Sequence, residues 1–365
     1  MSTQARITVA PVRHLAAVAA AWRVLEAAAA PSFFQSWTWV GCRAAARFPD
    51  PWLLRAERGG RVVGLALLNR RDGGLWLNEN GDAALDAPYV EHNGVLLARD
   101  ATDLLPACLA ALLGAARRLR LSGVDAAHLA AARAAGAVRL RRAHVAPYVD
   151  LTMLANGPDA WLATRSANTR QQLRRSDRGF GAITVRRAAT LAEASAFLEA
   201  LARLHQATWT ARGRPGAFAN PEFLRFHRDL LARAVPRGEA ELLRIDGTCA
   251  TVGYLYNFVF GARVHTYQSG FDYAAAGKHG KPGLTCHHAA ILRAAADGAA
   301  VYDFLAGTDR TKLSLATGTQ PLYWLDAAAA WSASGIALRL ADWASTLRNT
   351  ASWPRLVSSQ PKRSA

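Results

Sequence analysis

Apolar and polar positions follow one spacing in two distant stretches. Leu53-Leu54-Arg55 is followed nine residues after its arginine by Gly64, preceded by Val63. Leu242-Leu243-Arg244 is followed at the same distance by Gly253, preceded by Val252, an offset of 189 residues. In each copy a polar, glycine-containing turn, Arg58-Gly59-Gly60-Arg61 or Asp246-Gly247-Thr248, separates two β-prone runs, which predicts a hairpin. The order of elements after each hairpin is also shared. The first copy continues with an apolar segment near Leu75 to Leu77, a helical stretch from Thr102 to Leu119 and a strand around Val124 to Leu129; the second with Val264 to Ser269, a helix from Pro282 to Ala296 and a strand from Val301 to Leu305. Two copies of helix, hairpin, strand, helix, strand imply an α/β duplication. Chance similarity of one hairpin is the alternative, and the common order of the later elements counts against it.

The chain breaks at Asn156-Gly157-Pro158, which divides it into residues 1–155, residues 156–335, and a C-terminal helix with a polar tail at 336–365. In that last helix Ile336, Leu338, Leu340, Trp343 and Leu347 keep helical spacing and predict docking on the protein rather than on a membrane surface. The apolar run from His14 to Ala30 is interrupted by Arg23 and Glu26 and lacks a cleavage-like site, so it reads as a first helix rather than a signal sequence. No run of 18 or more uncharged apolar residues appears, so no transmembrane span is expected.

Composition sharpens this picture in two ways. With 365 residues and 51% hydrophobic positions, both halves can bury a core. Cys42, Cys108, Cys249 and Cys286 lack the close pairing of zinc or redox motifs, so four free thiols in a reducing, cytoplasmic compartment are expected. The net charge of +17 invites a phosphate-bearing partner, but a solvated basic surface is the preferred account: of 44 basic residues only Lys278, Lys281, Lys312 and Lys362 are lysine. Three of those four fall between 278 and 312, where a compact ammonium has been kept in an arginine-rich chain.

The stretch richest in chemistry runs from Tyr267-Gln268-Ser269-Gly270-Phe271-Asp272 through Gly277-Lys278-His279-Gly280-Lys281-Pro282-Gly283-Leu284-Thr285 into a helix. A strand, a Gly- and Lys-rich loop and a helix start make an anion site, because first-turn amides lack internal partners and the helix dipole adds positive charge. Pro282 suits the first helical position and Gly298 ends the helix. The loop is neither a Walker A nor a G-x-G-x-x-G sequence. The matching helix of the first copy, at Leu104-Leu105-Pro106, starts without glycine, so a cofactor is expected in the second half alone.

Residues 160–325 resemble the CelD-like acetyltransferase family, a branch of the GNAT superfamily associated with bacterial cellulose and exopolysaccharide production and similar in fold to Fem-type peptidyl transferases. Four stretches carry the resemblance: Ser166-Ala167-Asn168-Thr169-Arg170 with Leu173-Arg174-Arg175; Leu204-His205 with Trp209 and Gly213; Tyr267 to Asp272 with Pro282-Gly283; and Tyr302-Asp303-Phe304-Leu305-Ala306-Gly307 with Lys312. The first half, with Phe34-Gln35-Ser36-Trp37, agrees more loosely. This chain has Thr311-Lys312 where the family has Tyr-Lys, and Lys281 where it has Ser before Pro-Gly.

The resemblance implies a tandem duplicated GNAT-like α/β fold, mixed sheets flanked by helices, that transfers an acetyl or other acyl group from acyl-CoA to an amine or hydroxyl. The implied acceptors are a sugar, a polysaccharide precursor or an amino compound, with the exopolysaccharide machinery as partner. On this reading Gln268, Ser269, Lys281, Gly283, Leu284 and Thr285 hold the CoA, with its pyrophosphate at Gly283, Leu284 and Thr285. Asp303, His265 and Tyr267 are the candidate proton-handling groups. An apolar setting on its strand would raise the Asp303 pKa toward that of a base, with a cap or ion-pair role as the alternative. His265 and Tyr267 point to one side of their strand, and a structural histidine is the preferred reading of His265. Lys312 steadies a developing oxyanion, binds an acidic acceptor, or is a solvated lysine. Asn168, Arg170, Arg174 and Trp209 are candidates for the acceptor. His287-His288 has no partner at i+3 or i+4, so no metal is assigned. Two other functions stay open: aminoacyl-tRNA-dependent transfer of the Fem kind, although no heptad run for a coiled-coil arm is present, and a non-catalytic accessory of exopolysaccharide synthesis, which Thr311 would suit.

Overall fold

The computed structural model describes residues 4–277 and 280–351, of which the side chains of 156, 158, 159 and 344–351 are not described. Lys278, Lys362 and the polar tail from Ser358 to Ala365 lie outside the described residues. The first half runs β1 (Arg6–Pro11), α1 (Leu15–Ala28), α2 (Trp37–Arg47), β2 (Pro51–Arg58), β3 (Arg61–Arg71), β4 (Gly74–Leu77), β5 (Leu96–Leu97), α3 (Leu105–Ala115), β6 (Arg118–Val124), α4 (Ala126–Ala135) and β7 (Ala137–Asp150). Two helices come next, α5 (Pro158–Ala163) and α6 (Ala167–Phe180). The second half repeats the plan: β8 (Thr184–Arg187), α7 (Leu191–Ala211), α8 (Pro221–Ala234), β9 (Ala240–Asp246), β10 (Thr251–Phe260), β11 (Arg263–Phe271), α9 (Pro282–Ala296), β12 (Val301–Asp303), α10 (Arg310–Leu315) and β13 (Gly318–Ala328), before a last helix, α11 (Ala333–Ala351).

Both expected hairpins form, β2–β3 and β9–β10. Gly59 and Gly60 at the first turn have φ of 59° and 76°, the pair of positive values that a type I′ turn requires and that matches strand twist. Helix α9 spans the expected residues. Two other expectations are corrected. The helix expected from Thr102 to Leu119 is shorter, because Arg118 already pairs in β6 beside Gly74. The strand expected from Val124 to Leu129 is the end of β6 followed by α4: Asp125 accepts the His128 amide at 2.9 Å and caps a helix there.

One mixed sheet carries the molecule, in the order β1-β2-β3-β4-β6-β13-β7-β12-β11-β10-β9-β8, with β5 alongside β3. Read inward from either edge, the halves run alike: a hairpin, then a parallel pair, β4 with β6 or β11 with β12. At the centre they exchange strands. β13 lies between β6 and β7, and β7 pairs with β12 of the other half. Aromatic packing continues across the halves, with Phe33 stacked on Phe258 at 4.1 Å and Phe34 against Trp39 and Tyr267.

Helix α11 packs on β7 and β13 and buries Leu338, while Ile336, Leu340 and Trp343 remain exposed. Among the described residues no helix is long and apolar enough to cross a membrane.

Candidate active site

The site begins where two strands part. β11 and β12 pair in parallel for only three positions, ending at His265 opposite Asp303. Beyond Asp303 the chain turns to β7 instead: Phe304 N–H donates to the Pro147 carbonyl at 2.9 Å and Gly307 N–H to that of Val145 at 3.1 Å. Leu305 takes a φ of 58° in that turn, and so the expected strand stops two residues early. Thr266 to Phe271 of β11 are therefore left with an open edge.

That edge is not bare. The Tyr89 hydroxyl, from the first half, donates to the Tyr267 carbonyl, and His205 Nδ1 lies 3.0 Å from the Ser269 carbonyl. Tyr267 donates its own hydroxyl to the Tyr89 carbonyl at 3.2 Å, and the two rings stack at 4.3 Å. The bulge opposite Tyr256 and Asn257 falls at Tyr267, which tilts this segment away from regular pairing. Since the amide and carbonyl of one strand residue point to the same edge, the Ser269 N–H faces the opening with its carbonyl.

A cavity of about 720 Å³ fills the fork. Thr266, Tyr267, Gln268, Ser269 and Phe271 form its floor, Trp209, Arg212 and Arg214 one wall, and Asp309 to Lys312 another; Gly283 and His287 close the end at α9. Arg212 stands 6.0 Å from the rings of both Trp209 and Tyr273. Four cations, Arg212, Arg214, Arg310 and Lys312, face one carboxylate, Asp309, so the lining favours an anionic ligand. Lys312 is steadied by the Ala306 carbonyl, 3.2 Å from its Nζ. His287 is buried, holds Nδ1 3.1 Å from the Tyr302 hydroxyl, and has its pKa pushed down to about 3 by burial and then by Lys312, so its ring is neutral. Burial lowers His205 as well, with the Ser269 carbonyl opposing, and raises the Tyr267 phenol well above its ordinary value.

The fork brings together Tyr267, Gln268, Ser269, Gly283, Lys312 and Trp209 from the sequence-derived candidates. The others lie elsewhere. Leu284 and Thr285 spend their amides on the Lys281 carbonyl at 2.9 and 3.1 Å, and Thr285 donates its hydroxyl to Asp177 at 2.7 Å. Ser176 of α6 accepts the Lys281 amide at 2.9 Å, and Lys281 Nζ reaches Gln172 at 2.7 Å. Helix α6 thus caps the start of α9, and Phe271 packs against Gly283, where an added Cβ would stand 3.1 Å from the ring. Asn168 and Arg174 are exposed on α6, and Arg170 bonds back to the carbonyls of Ala163 and Arg165.

His265 and Asp303 sit below the cavity floor, fully buried. The expected rise in the Asp303 pKa is reversed. Burial would raise it, but His92 at 3.0 Å, His265 and Arg263 at 2.7 Å outweigh burial and hold the carboxyl well below the usual range. The setting is polar, because the first half delivers His92 from a segment no local pattern could place there. Tyr89, Arg214, Tyr273, Arg310 and His287 were also missed. A signal existed for one group: Arg212-Gly213-Arg214-Pro215-Gly216 is a basic turn directly after a helix.

Residues 164–313 match the family described as acetyltransferase (GNAT) domain. No curated protein matches the chain. Among solved structures, FemX is similar at 12% identity and a TM-score of 0.59, over 89% of this chain and 98% of its own. L-PGS from Bacillus licheniformis is similar at 12% identity and a TM-score of 0.52, over 88% and 95%. A tandem GNAT protein from the clavulanic acid biosynthesis pathway shares 16% identity over 90% of this chain and 100% of its own, at a TM-score of 0.46. The architecture is GNAT-like: a large mixed sheet flanked by helices, with a GNAT acetyltransferase domain in the second half.

Proposed function

We propose that the chain is an acyltransferase that moves an acetyl or other acyl group from acyl-CoA to an amine or hydroxyl held in the cavity of the second half. The observation that carries the reading is the parting of β11 from β12 after His265 and Asp303. An extended thioester arm can take the place of the missing strand there, alongside Gln268 and Ser269. The Ser269 N–H is placed to polarise the thioester carbonyl as negative charge develops on its oxygen. Lys312 adds positive charge on the facing wall. The nucleophile attacks that carbon, the C–S bond breaks, and the proton the nucleophile loses ends on the departing sulfur as the free thiol; burial and Lys312 make His287 too weak a base to hold that proton. Positioning the two substrates supplies much of the rate.

The site assignments differ from a simple helix-tip scheme. Gly283 is the one residue of the α9 start that lines the cavity, so the pyrophosphate is assigned to Gly283 with Arg212 and Arg214 rather than to Leu284 and Thr285. Trp209 and Tyr273, each 6.0 Å from Arg212, flank that anion position, and an anionic or sugar acceptor of CelD-like, exopolysaccharide chemistry is left the facing wall with Arg310 and Lys312. A cytoplasmic location, where acyl-CoA is available, belongs to the same reading.

Aminoacyl-tRNA-dependent transfer is the second reading, favoured by the likeness in fold to FemX and by the outward arginines of α6. Thermal-shift measurements with acetyl-CoA, longer acyl-CoAs and aminoacyl-tRNA separate the two. At a ligand concentration one hundred times Kd the stabilisation is about 2.7 kcal/mol. A shift with CoA thioesters supports acyl-CoA transfer, and a shift with aminoacyl-tRNA alone replaces it. Gly283→Glu places a carboxylate beside Phe271 at the cavity end and is expected to weaken acetyl-CoA binding roughly 10-fold or more. Unchanged binding removes the pyrophosphate from this position.

A further inference from the structure

We infer that His92, His265 and Asp303 form a binding site for a divalent transition-metal ion, of which zinc is the best match, joining the two halves beneath the cavity. Each residue offers one ligand atom, and these atoms lie within 4.8 Å of one another. Three separate segments supply them: the loop before β5, the last paired position of β11 and the end of β12.

His265 points most directly to a ligand. It is fully buried, and neither ring nitrogen makes a hydrogen bond of good geometry. A buried polar atom without a partner is costly and is rare in folded proteins. His92 repeats the pattern. Its Nε2 stands 3.0 Å from Asp303 Oδ2 yet off the line of a hydrogen bond. Asp303 is oriented through its other oxygen, Oδ1, which accepts the Leu305 amide at 2.8 Å.

The donor set is right for zinc: two imidazoles and one carboxylate, with a fourth position for water. Arg263 is the competitor, with Nη1 2.7 Å from Asp303 Oδ2. Its side chain is 34% exposed and can turn to solvent when an ion takes that oxygen. Glu91, whose Oε2 accepts the Ala306 amide, lies close enough to add negative charge without being a ligand.

The test uses the full-length protein freed of metal with a chelator and titrated with Co²⁺ as a spectroscopic probe, then with Zn²⁺. The expected result is visible d–d absorption that saturates at one Co²⁺ per chain, is quenched by Zn²⁺, and accompanies a rise in Tm. His92→Gln, a change in a loop residue, is expected to lower the affinity at least 10-fold and to abolish the absorption, while Cys249→Ser leaves both intact. Absence of the absorption in the wild type overturns the proposal. So does one-to-one binding that survives in His92→Gln, which would place the ion elsewhere. Should His265→Gln fail to fold, His92→Gln alone decides.

Discussion

Replacing Tyr89 with phenylalanine tests how the first half holds the open edge of β11. The wild-type pair is reciprocal: each tyrosine hydroxyl donates to the other's main-chain carbonyl across 178 residues of sequence, and the rings stack at 4.3 Å. Tyr89→Phe keeps the stacking and the Tyr89 carbonyl and removes one donor. The Tyr267 carbonyl then faces the place where β12 would have paired, partly buried and without its protein partner. Leaving such an acceptor unsatisfied costs about 1–3 kcal/mol. Tyr267→Phe removes the longer 3.2 Å bond and belongs at the lower end, about 1 kcal/mol. Because both bonds fix one ring stack, the double variant should depart from the sum by 0.5 kcal/mol or more, roughly the scale at which neighbouring sites couple. Urea unfolding followed by linear extrapolation measures all three losses, with m unchanged. On the proposed function the second readout is acyl-CoA turnover, expected to fall as Gln268 and Ser269 lose their fixed position. A Tyr89→Phe protein within about 0.5 kcal/mol of wild type and equally active would refute this account of the edge.

Acid should destabilise the fold well above the range where carboxylates titrate. His205, His227, His265 and His287 are held neutral, principally by burial, with His265 and His287 pushed down to about 3. Such groups contribute stability that is complete above the unfolded histidine value of about 6.5 and is lost as pH falls below it, each by about 1.4 kcal/mol per pH unit. Glu79, raised to about 7 by burial and by Asp86, acts in the opposite sense, and Glu26 and Glu91 do so more weakly. A net uptake of roughly two protons on unfolding, or about 3 kcal/mol per pH unit near pH 5.5, is expected; a urea midpoint constant from pH 7 to 5 contradicts it. Asn93→Ala deletes three buried side-chain bonds, to Leu77, Asn78 and the Gly94 amide, and should cost about 3 kcal/mol. Its loss in activity should exceed that of an equally destabilising change remote from residues 78–94, because the same segment carries Tyr89.

The duplication was legible because hairpin chemistry is local. Gly59-Gly60, the alternation around Leu54 and Leu243, and the Pro282 start of α9 each act within a few residues. What could not be read were contacts across more than a hundred positions. Asp303 reads as a carboxyl on an apolar strand, and only folding brings His92 against it. Likewise the start of α9 looks like a free anion site until Ser176, 105 residues earlier, takes the Lys281 amide. The central exchange of β7 and β13 leaves no trace in either copy of the repeat, since each strand would satisfy its own half equally well by pattern alone.

One contrast between the halves explains why this cavity opens at the second strand fork and not at the first. β4 and β6 also pair in parallel for three positions and then part. In that first fork, however, the chain from Asn78 onward returns and fills the gap. Asn93 donates through Nδ2 to the Leu77 carbonyl on the β4 side at 3.1 Å, and through its amide to the Gly123 carbonyl on the β6 side at 3.0 Å. One residue thereby bridges both arms, and Asn78 fixes its side chain at 2.7 Å. Among the described residues of the second half no segment bridges the two arms: the chain after β11 leads into α9, and the chain after β12 leaves for β7. The segment that closes the first fork goes on to serve the second: Tyr89 holds the β11 edge, and His92 meets Asp303 below the floor. Closing one cleft and shaping the other are therefore a single structural event, and the first half acts as a support for the cavity in the second.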